Sequence, residues 1–490
     1  MAIAILLVYG SMLTFILFYS FIQLHLTVSY RRNKKTKQRT KQALNEAEWP
    51  MVTIQLPLYN EMYVVERLLD CIAKFDYPTD KLEIQVLDDS TDESFEIGAK
   101  KVQELAAQGL NIQHIKRPNR IGYKAGALAY GMKFSKGEFI AIFDADFLPN
   151  PDFLKKTIPY FDTPKIGVVQ TKWEHLNENF SLLTKLQAFG LDAHFSIEQR
   201  GRNASNHFIN FNGTAGVWRT SCILDAGGWQ SDTITEDLDL SYRAQLKGWK
   251  FTYLENVGSP SELPAAMNAL KNQQFRWTKG AAECMRKNLG KVLVSKDLSW
   301  STKINAVFHL MNSFLFICVF VLAILSVPML FVKKAMPEYE TIFKVASVFL
   351  TSLFILGFFY WTSYKSSKGG GILSFFKFIR TFFLFISVSM GLSLHNAIAV
   401  IEGYIGRKTP FVRTPKFNIQ TADQKWQKNK YLVSSLSWLT IIELLLVFYF
   451  AGGLYCAFWL EDFGLFPFHF MLFIGFSYVS FYSLKHSSYA

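Results

Sequence analysis

Four groups of residues in this 490-residue chain have types and spacings suited to chemistry on a phosphorylated substrate. The first is Asp88-Asp89, at the end of the apolar run Gln85-Val86-Leu87. A helix cap at Ser90 or Asp92 explains one acid there, but not two adjacent carboxylates at a strand tip. The second is Asp144-Ala145-Asp146, where alternate residues of an extended segment bring both carboxylates toward one ion. Mg²⁺ or Mn²⁺ bound by one or two carboxylates, with phosphate oxygens filling other positions, is the usual arrangement around a nucleotide. A D-x-D by itself arises often from a capped turn. Its place after a buried strand, together with the first pair, gives it weight.

The third group is Thr235-Glu236-Asp237. Thr235 reads as a helix cap with acids favouring the dipole, and Asp237 reads as a general base toward an attacking hydroxyl; the two roles are compatible. The fourth is Gln273-Gln274-Phe275-Arg276-Trp277 on a long amphipathic stretch. Its guanidinium suits a diphosphate and its indole a sugar ring, whereas a lone Trp would be an interfacial anchor. Lys124 opens a helix in Gly122-Tyr123-Lys124-Ala125-Gly126, where a cation beside free N–H groups suits a phosphate.

These groups need a scaffold, and residues 50–290 supply one. Apolar runs at 51–57, 82–88, 111–116, 138–143 and 166–171 read as buried strands, and 61–75 and 92–108 have helical spacing. The alternation predicts an α/β domain with a mostly parallel sheet, whose ligands sit at the carboxyl ends of the strands. The rest of the chain is of another kind. Half of all residues are hydrophobic, 16% are aromatic and 19% are charged, which excludes a disordered or coiled-coil chain. The five scattered cysteines exclude a disulfide framework or a zinc site. The apolar run 3–26 is long enough to span a bilayer and is followed by Arg31, Arg32, Lys34, Lys35, Lys37 and Arg39. Those cations place that end in the cytosol and tie the net charge of +13 to membrane lipids; nucleic acid is not expected as a partner.

The four groups, in this order, resemble the DD, DxD, TED and QxxRW signatures of processive family 2 glycosyltransferases, the cellulose, hyaluronan and chitin synthases. The stretches Phe211-Asn212-Gly213-Thr214-Ala215-Gly216-Val217-Trp218-Arg219 and Ser261-Glu262-Leu263-Pro264 are similar to the cellulose-synthase-like mannan and xyloglucan-backbone synthases. The resemblance implies a cytosolic GT-A domain, Rossmann-like, inserted in an α-helical membrane protein. On this chain it implies that Asp88 or Asp89 meets the nucleoside, and Asp144 and Asp146 the metal and diphosphate. Lys124, Gln273 and Arg276 would hold the diphosphate. Trp277, Asn212 and Gly213 would face the acceptor, and Asp237 with Glu236 would form the catalytic pair. The implied reaction is a single inverting displacement that extends a β-linked hexan (β-1,4-mannan or β-glucan type) from UDP-glucose or GDP-mannose, with Mg²⁺ or Mn²⁺, and translocates the growing polysaccharide. The alternative is transfer of one sugar to a membrane lipid, as ceramide glucosyltransferases do. A sensing protein with a decayed site is disfavoured because every expected acid is present.

The expected organisation is an N-terminal transmembrane helix at 1–30, a cytosolic domain at 31–300 ending in amphipathic interfacial helices, and a transmembrane channel region at 301–490. Spans are expected near 304–332, 341–363, 431–458 and 463–484. The segment 375–402 carries His395 and Asn396 and reads as interfacial or re-entrant, which keeps the basic loop 403–430 cytosolic. Phe411, Thr414 and Lys416 in that loop resemble the family's gating loop, with Arg413 departing from its usual valine. The expected location is the plasma (inner) membrane, with the catalytic domain and the C-terminus in the cytosol. Asn305, His309 and Asn312 share one helical face and are expected to line the channel. Glu443, within a span, is a functional candidate because an isolated membrane carboxylate is costly. Asp92, Asp239 and Glu262 are read as structural polar residues.

Overall fold

The computed structural model describes residues 2–34, 48–410, 412–419, 426, 429–432 and 437–488. Among the described residues, seven strands form one sheet: β1 (Val52–Leu58), β2 (Leu82–Asp88), β3 (Ile112–Ile115), β4 (Phe139–Ile142), β5 (Ile166–His175), β6 (Gly216–Arg219) and β7 (Lys250–Ser261). Their order is β3-β2-β1-β4-β6-β5-β7. The first four run parallel, β6 is antiparallel to both β4 and β5, and β5 pairs parallel with β7. The five apolar runs of the sequence are β1 to β5. Burial on both faces explains why they read as continuous rather than alternating: Ile54, Leu56 and Val86 pack in one layer, and Leu87, Ile140, Val168 and Trp218 in the other. The sequence reading missed β6 and β7. β6 has four residues, and β7 is an edge strand interrupted by Glu255, Asn256 and Gly258 at a register shift.

One expectation about local geometry fails. β4 ends at Ile142, so Asp144 and Asp146 lie in the turn beyond the strand and not on one of its faces. Their carboxylates take different partners, as described below.

Among the described residues, six helices are long and apolar enough to cross a membrane: Ala2–Asn33, Phe314–Ala335, Ser347–Lys368, Ile372–Gly391, Trp438–Trp459 and Phe466–Ser487. The expected span 304–332 is divided. A short helix, Trp300–Leu310, packs its Ala306 and Leu310 against Phe208, Tyr242 and Cys284 of the catalytic domain, and a new helix starts at Phe314. The segment 375–402 is likewise two helices, Ile372–Gly391 and Ser393–Ile405. The first of these lies along the catalytic helix Leu182–Ala193. Phe385 sits 5.2 Å from the Phe189 ring, and Val388 and Leu392 pack with Leu183, Leu186 and Leu270. Its middle and C-terminal end therefore touch the sheet domain, although its composition alone suits a crossing. Its other side meets Phe466–Ser487 so closely that a Cβ on Gly475 would stand 1.8 Å from the Ser387 carbonyl oxygen. Small residues permit such backbone approach between apolar helices.

The helix Met267–Val294 joins the two halves. Its Lys271 ammonium meets the Glu443 carboxylate at 2.6 Å, with both side chains buried. Glu443 is thus paired and not isolated, contrary to the sequence reading. Removing one member of a buried ion pair leaves an uncompensated charge and costs about 3–5 kcal/mol, whereas replacing both by apolar groups is far milder. Glu443→Leu is expected to lower the thermal unfolding temperature in nanodiscs, and Lys271→Met combined with Glu443→Leu to recover most of it. A double variant as unstable as the single one would refute this account.

Candidate active site

The motif residues gather beyond the carboxyl ends of β1, β2 and β4, where open α/β sheets bind ligands. Asp88, the last residue of β2, is buried and bonded to His114 Nε2 at 2.9 Å and to the Ser90 N–H at 2.8 Å. Asp89 is clamped by both Arg117 Nε and Nη2, at 2.7 and 2.5 Å. This bidentate pair orders the edge of the cleft.

In the middle of the cleft, Lys124 is paired with Asp144 and donates to the Gly213 carbonyl at 2.9 Å. The Asp144 N–H in turn donates to Thr214 Oγ1 at 2.9 Å. Gly213 has φ +78°, and a Cβ built on it would lie 3.1 Å from the Asp237 carboxylate and 3.5 Å from the Lys124 ammonium. Glycine is required there on both counts. Asp237 stands in the first turn of the helix Glu236–Leu246 and accepts the Leu238 N–H at 2.8 Å. Thr235 does not cap this helix with its side chain; its hydroxyl faces Cys284 at 3.4 Å. Asp239, read as structural, bonds Arg243, Lys287 and Asn288 and ties the Asp237 helix to Met267–Val294.

The electrostatics follow from burial and mutual charge. Burial pushes the carboxyls of Glu236 and Asp237 above the ordinary carboxylate range; the Asp237 charge adds to the effect on Glu236, and Lys124 opposes it for both. Burial works against the Lys124 charge, but Asp144, Glu236 and Asp237 outweigh it and hold that ammonium above its usual value. Arg276, desolvated in the same cleft, faces Asp144, Glu236, Glu61 and Asp146. Two carboxylates in a turn, beside cations able to meet phosphate, fit a divalent cation whose remaining ligands are phosphate oxygens. Among the described residues, no cluster of three or more His, Cys, Asp or Glu side chains forms a self-sufficient cage.

The loop after the helix Ser393–Ile405 enters this cleft. Arg276 Nη2 donates to Thr414 Oγ1 at 2.8 Å, and Lys416 bonds Asp146 at 2.6 Å. Phe411 lies outside the described residues. The sequence reading missed how the loop is held. Arg413, the departure from the resembling pattern, pairs with Glu61 at 3.0 Å and lies over the Tyr431 ring. Glu262 accepts the Phe417 N–H at 2.7 Å, Arg67 donates to Asn418, and Asp92 accepts from the Tyr431 hydroxyl. Glu61 and Arg67 had no signal in the sequence beyond their charge.

On the opposite side, Trp277 faces Trp173 with ring centroids 6.4 Å apart, and Trp173 packs on Phe195 at 5.0 Å. Gln273 is on the same helix one turn before Arg276. Asn212 is bonded to Gln170, Gln199 and His194, all three unremarked in the sequence. Asn305 and His309 are buried in the short helix Trp300–Leu310, His309 bonding the Tyr242 hydroxyl at 2.8 Å, and Asn312 follows the end of that helix. The three are not brought into the cleft.

With this geometry in hand, known proteins supply the class. Residues 50–280 match the family described as "Glycosyltransferase like family 2". They are a family 2 glycosyltransferase domain. The chain is 44% identical over 275 residues to a glucomannan 4-beta-mannosyltransferase 7 of Arabidopsis thaliana, covering 55% of this chain and 49% of the relative. It is 40% identical over 305 residues to a glucomannan 4-beta-mannosyltransferase 1 of Oryza sativa subsp. japonica, covering 59% and 58%. It thus spans about half the length of the curated relatives it matches. The solved structure of a mannosyltransferase from Pyrobaculum calidifontis, in complex with GDP-Man and Mn2+, has a TM-score of 0.52 at 17% identity and covers 82% of this chain and 100% of that one. The shared architecture is the GT-A fold.

The raised carboxyls of this glycosyltransferase domain have a consequence in pH. Their protons are held to higher pH in the folded state than in the unfolded chain, so the stability they contribute is full at low pH and is lost as pH rises through the raised values. Were Asp237 the base of the reaction, activity would have the opposite slope, because a base must be ionised. The acid limb of kcat is expected above the ordinary carboxylate range, and Asp237→Asn should lower kcat roughly 10²–10⁴-fold. A limb at the ordinary range would show that no buried carboxyl governs turnover.

Proposed function

We propose that the chain is a membrane-embedded, inverting polysaccharide synthase that extends a β-linked hexan from a nucleotide sugar, with GDP-mannose as the preferred donor and a β-1,4-mannan-type product. The observation that carries this reading is the convergence of Asp237, Lys124, Asp144 and Arg276 around Gly213 in a family 2 domain. The named activity of the glucomannan mannosyltransferases and the GDP-Man of the Pyrobaculum calidifontis complex support mannose over glucose.

In this mechanism the Asp237 carboxylate takes the proton from a hydroxyl of the acceptor sugar. The freed oxygen attacks the anomeric carbon as the nucleoside diphosphate departs from the opposite face, so an α-linked donor yields a β-linkage with no covalent protein intermediate. Lys124, Gln273 and Arg276 offset the charge that develops on the diphosphate. Asp88 and Asp89 border the nucleoside, and Asn212, Gly213 and Trp277 seat the acceptor terminus. Asp144 and Asp146 would hold a divalent cation, Mg²⁺ or Mn²⁺, which when bound adds charge neutralisation at the leaving group. Thr414 and Lys416 would then cover the donor, Lys416 exchanging Asp146 for phosphate.

The basic run Arg31-Arg32 and the loop's contact with the cleft support a cytosolic catalytic domain and C-terminus; location in the plasma membrane is part of the same proposal. Export of the product through the helical region belongs to the same proposal.

The test uses purified protein in lipid nanodiscs supplied separately with labelled GDP-mannose and UDP-glucose, with Mn²⁺, Mg²⁺ or a chelator. The expected result is metal-dependent, high-molecular-weight product from GDP-mannose that a β-1,4-mannanase digests and that Asp237→Asn does not make. Polymer from UDP-glucose alone would overturn the mannose assignment. A lipid-soluble product carrying one sugar would overturn the polymerase in favour of lipid glycosylation.

A further inference from the structure

Between the helices Leu182–Ala193 and Arg200–Ala204, residues His194–Gln199 form a single π-helical turn. Such turns are rare and concentrate at functional sites. This one carries a hydrogen-bond chain whose polarity can be assigned from end to end. Glu198 accepts from Gln23 Nε2 at 2.7 Å and pairs with Arg202 at 3.4 Å and with His194 Nδ1 at 2.8 Å. Burial acts to protonate Glu198, but Arg202, His194 and Gln23 outweigh it and keep it an acceptor. The His194 proton therefore sits on Nδ1. That leaves the Nε2 lone pair for the Asn212 side-chain N–H, 3.1 Å away. On the other side, Gln199 Nε2 donates to Asn212 Oδ1 at 2.5 Å, and the Asn212 backbone N–H donates to Gln170.

The Asn212 amide is thereby held in one orientation, with one N–H and one oxygen lone pair left over. Its neighbour Gly213 borders Asp237, and the Phe195–Trp173–Trp277 aromatic wall begins at the residue after His194. Gln23 belongs to the first membrane helix and is buried, with Tyr19 as a second partner at 2.8 Å. A polar side chain in such a helix is costly unless bonded.

We propose that His194, oriented by Glu198, is a positioning residue of the acceptor subsite: it sets which edge of the Asn212 amide meets the acceptor sugar, and Gln23 ties that setting to the first membrane helix. The proposal rests on the reading of Asn212 as acceptor-facing. A misplaced acceptor leaves the donor's anomeric carbon open to water, so the diagnostic quantity is the ratio of donor hydrolysis to sugar transfer. Overall activity is not diagnostic.

The experiment compares His194→Phe, His194→Gln, Gln23→Leu and Asn212→Ala in nanodiscs, with GDP-mannose (or the donor selected above) and a short β-1,4-linked oligosaccharide of the same sugar as acceptor. His194→Phe keeps a ring beside Phe195 and loses both nitrogens. It is expected to raise the hydrolysis-to-transfer ratio and the acceptor KM roughly five- to tenfold, the equivalent of one hydrogen bond, with donor KM unchanged. His194→Gln, whose amide oxygen can accept from Asn212, should restore most of the transfer, and Gln23→Leu should show a smaller rise of the same kind. If Asn212→Ala raises the ratio and His194→Phe leaves it at the wild-type value, the positioning role is refuted while the acceptor reading stands. If neither variant moves it, the acceptor reading of Asn212 fails as well. Equal loss of hydrolysis and transfer with a lowered unfolding temperature would reduce His194 to a packing residue and overturn the proposal.

Discussion

The cleft concentrates negative charge, and everything around it answers to that constraint. Burial, reinforced by the neighbouring charges of Asp144 and Asp146, holds the carboxyls of Glu236, Asp237 and Glu61 above their ordinary range. The fold holds them together by bringing in cations from three separate parts of the chain. Lys124 comes from a helix start, Arg276 from the long interface helix, and Lys416 and Arg413 from a loop more than 130 residues further on. A metal-bound diphosphate has the same chemistry at the carboxylates and the complementary chemistry at the cations. On the proposed function, a cleft balanced this way would accept such a ligand by exchanging ionic partners, with little bare charge exposed.

The helix Met267–Val294 makes that balance depend on the membrane half. Along its length it reaches Glu443 through Lys271, Thr414 through Arg276, Glu402 and Thr409 through Lys279, and Asp239 through Lys287 and Asn288. One helix therefore contacts the loop at Thr414 and, through Asp239, the helix that carries Asp237. A second connection runs from the first membrane helix through Gln23, Glu198 and His194 to Asn212. The Arg276 and Asn212 sides of the cleft are thus tied to different membrane helices, through Glu443 and Gln23 respectively.

Much of this was legible in the residues themselves. A sheet buried on both faces writes its strands as continuous apolar runs, which is why β1 to β5 could be read, and the carboxylates at strand ends marked the site. The edge strand β7, interrupted by polar residues, and the four-residue β6 carried no such signal. The break at Leu392 was hidden for a related reason: apolar composition continues through it, and only packing on Phe189 and Leu270 shows that the segment is two helices lying on the catalytic domain.

What the sequence determined by itself was local: which residues carry charge, which runs must be buried, and which motifs open helices. Those properties depend on neighbours a few positions away and survive without knowledge of the fold. Tertiary structure alone decided the partners. That Lys416 meets Asp146, that Glu443 is satisfied by Lys271, and that His194 turns its accepting nitrogen to Asn212 are choices made across 270, 172 and 18 residues. A buried charge or amide must find a partner, but its chain position does not say which one. The sheet and the membrane helices bring the candidates within reach, and desolvation makes leaving any of them unpaired too costly.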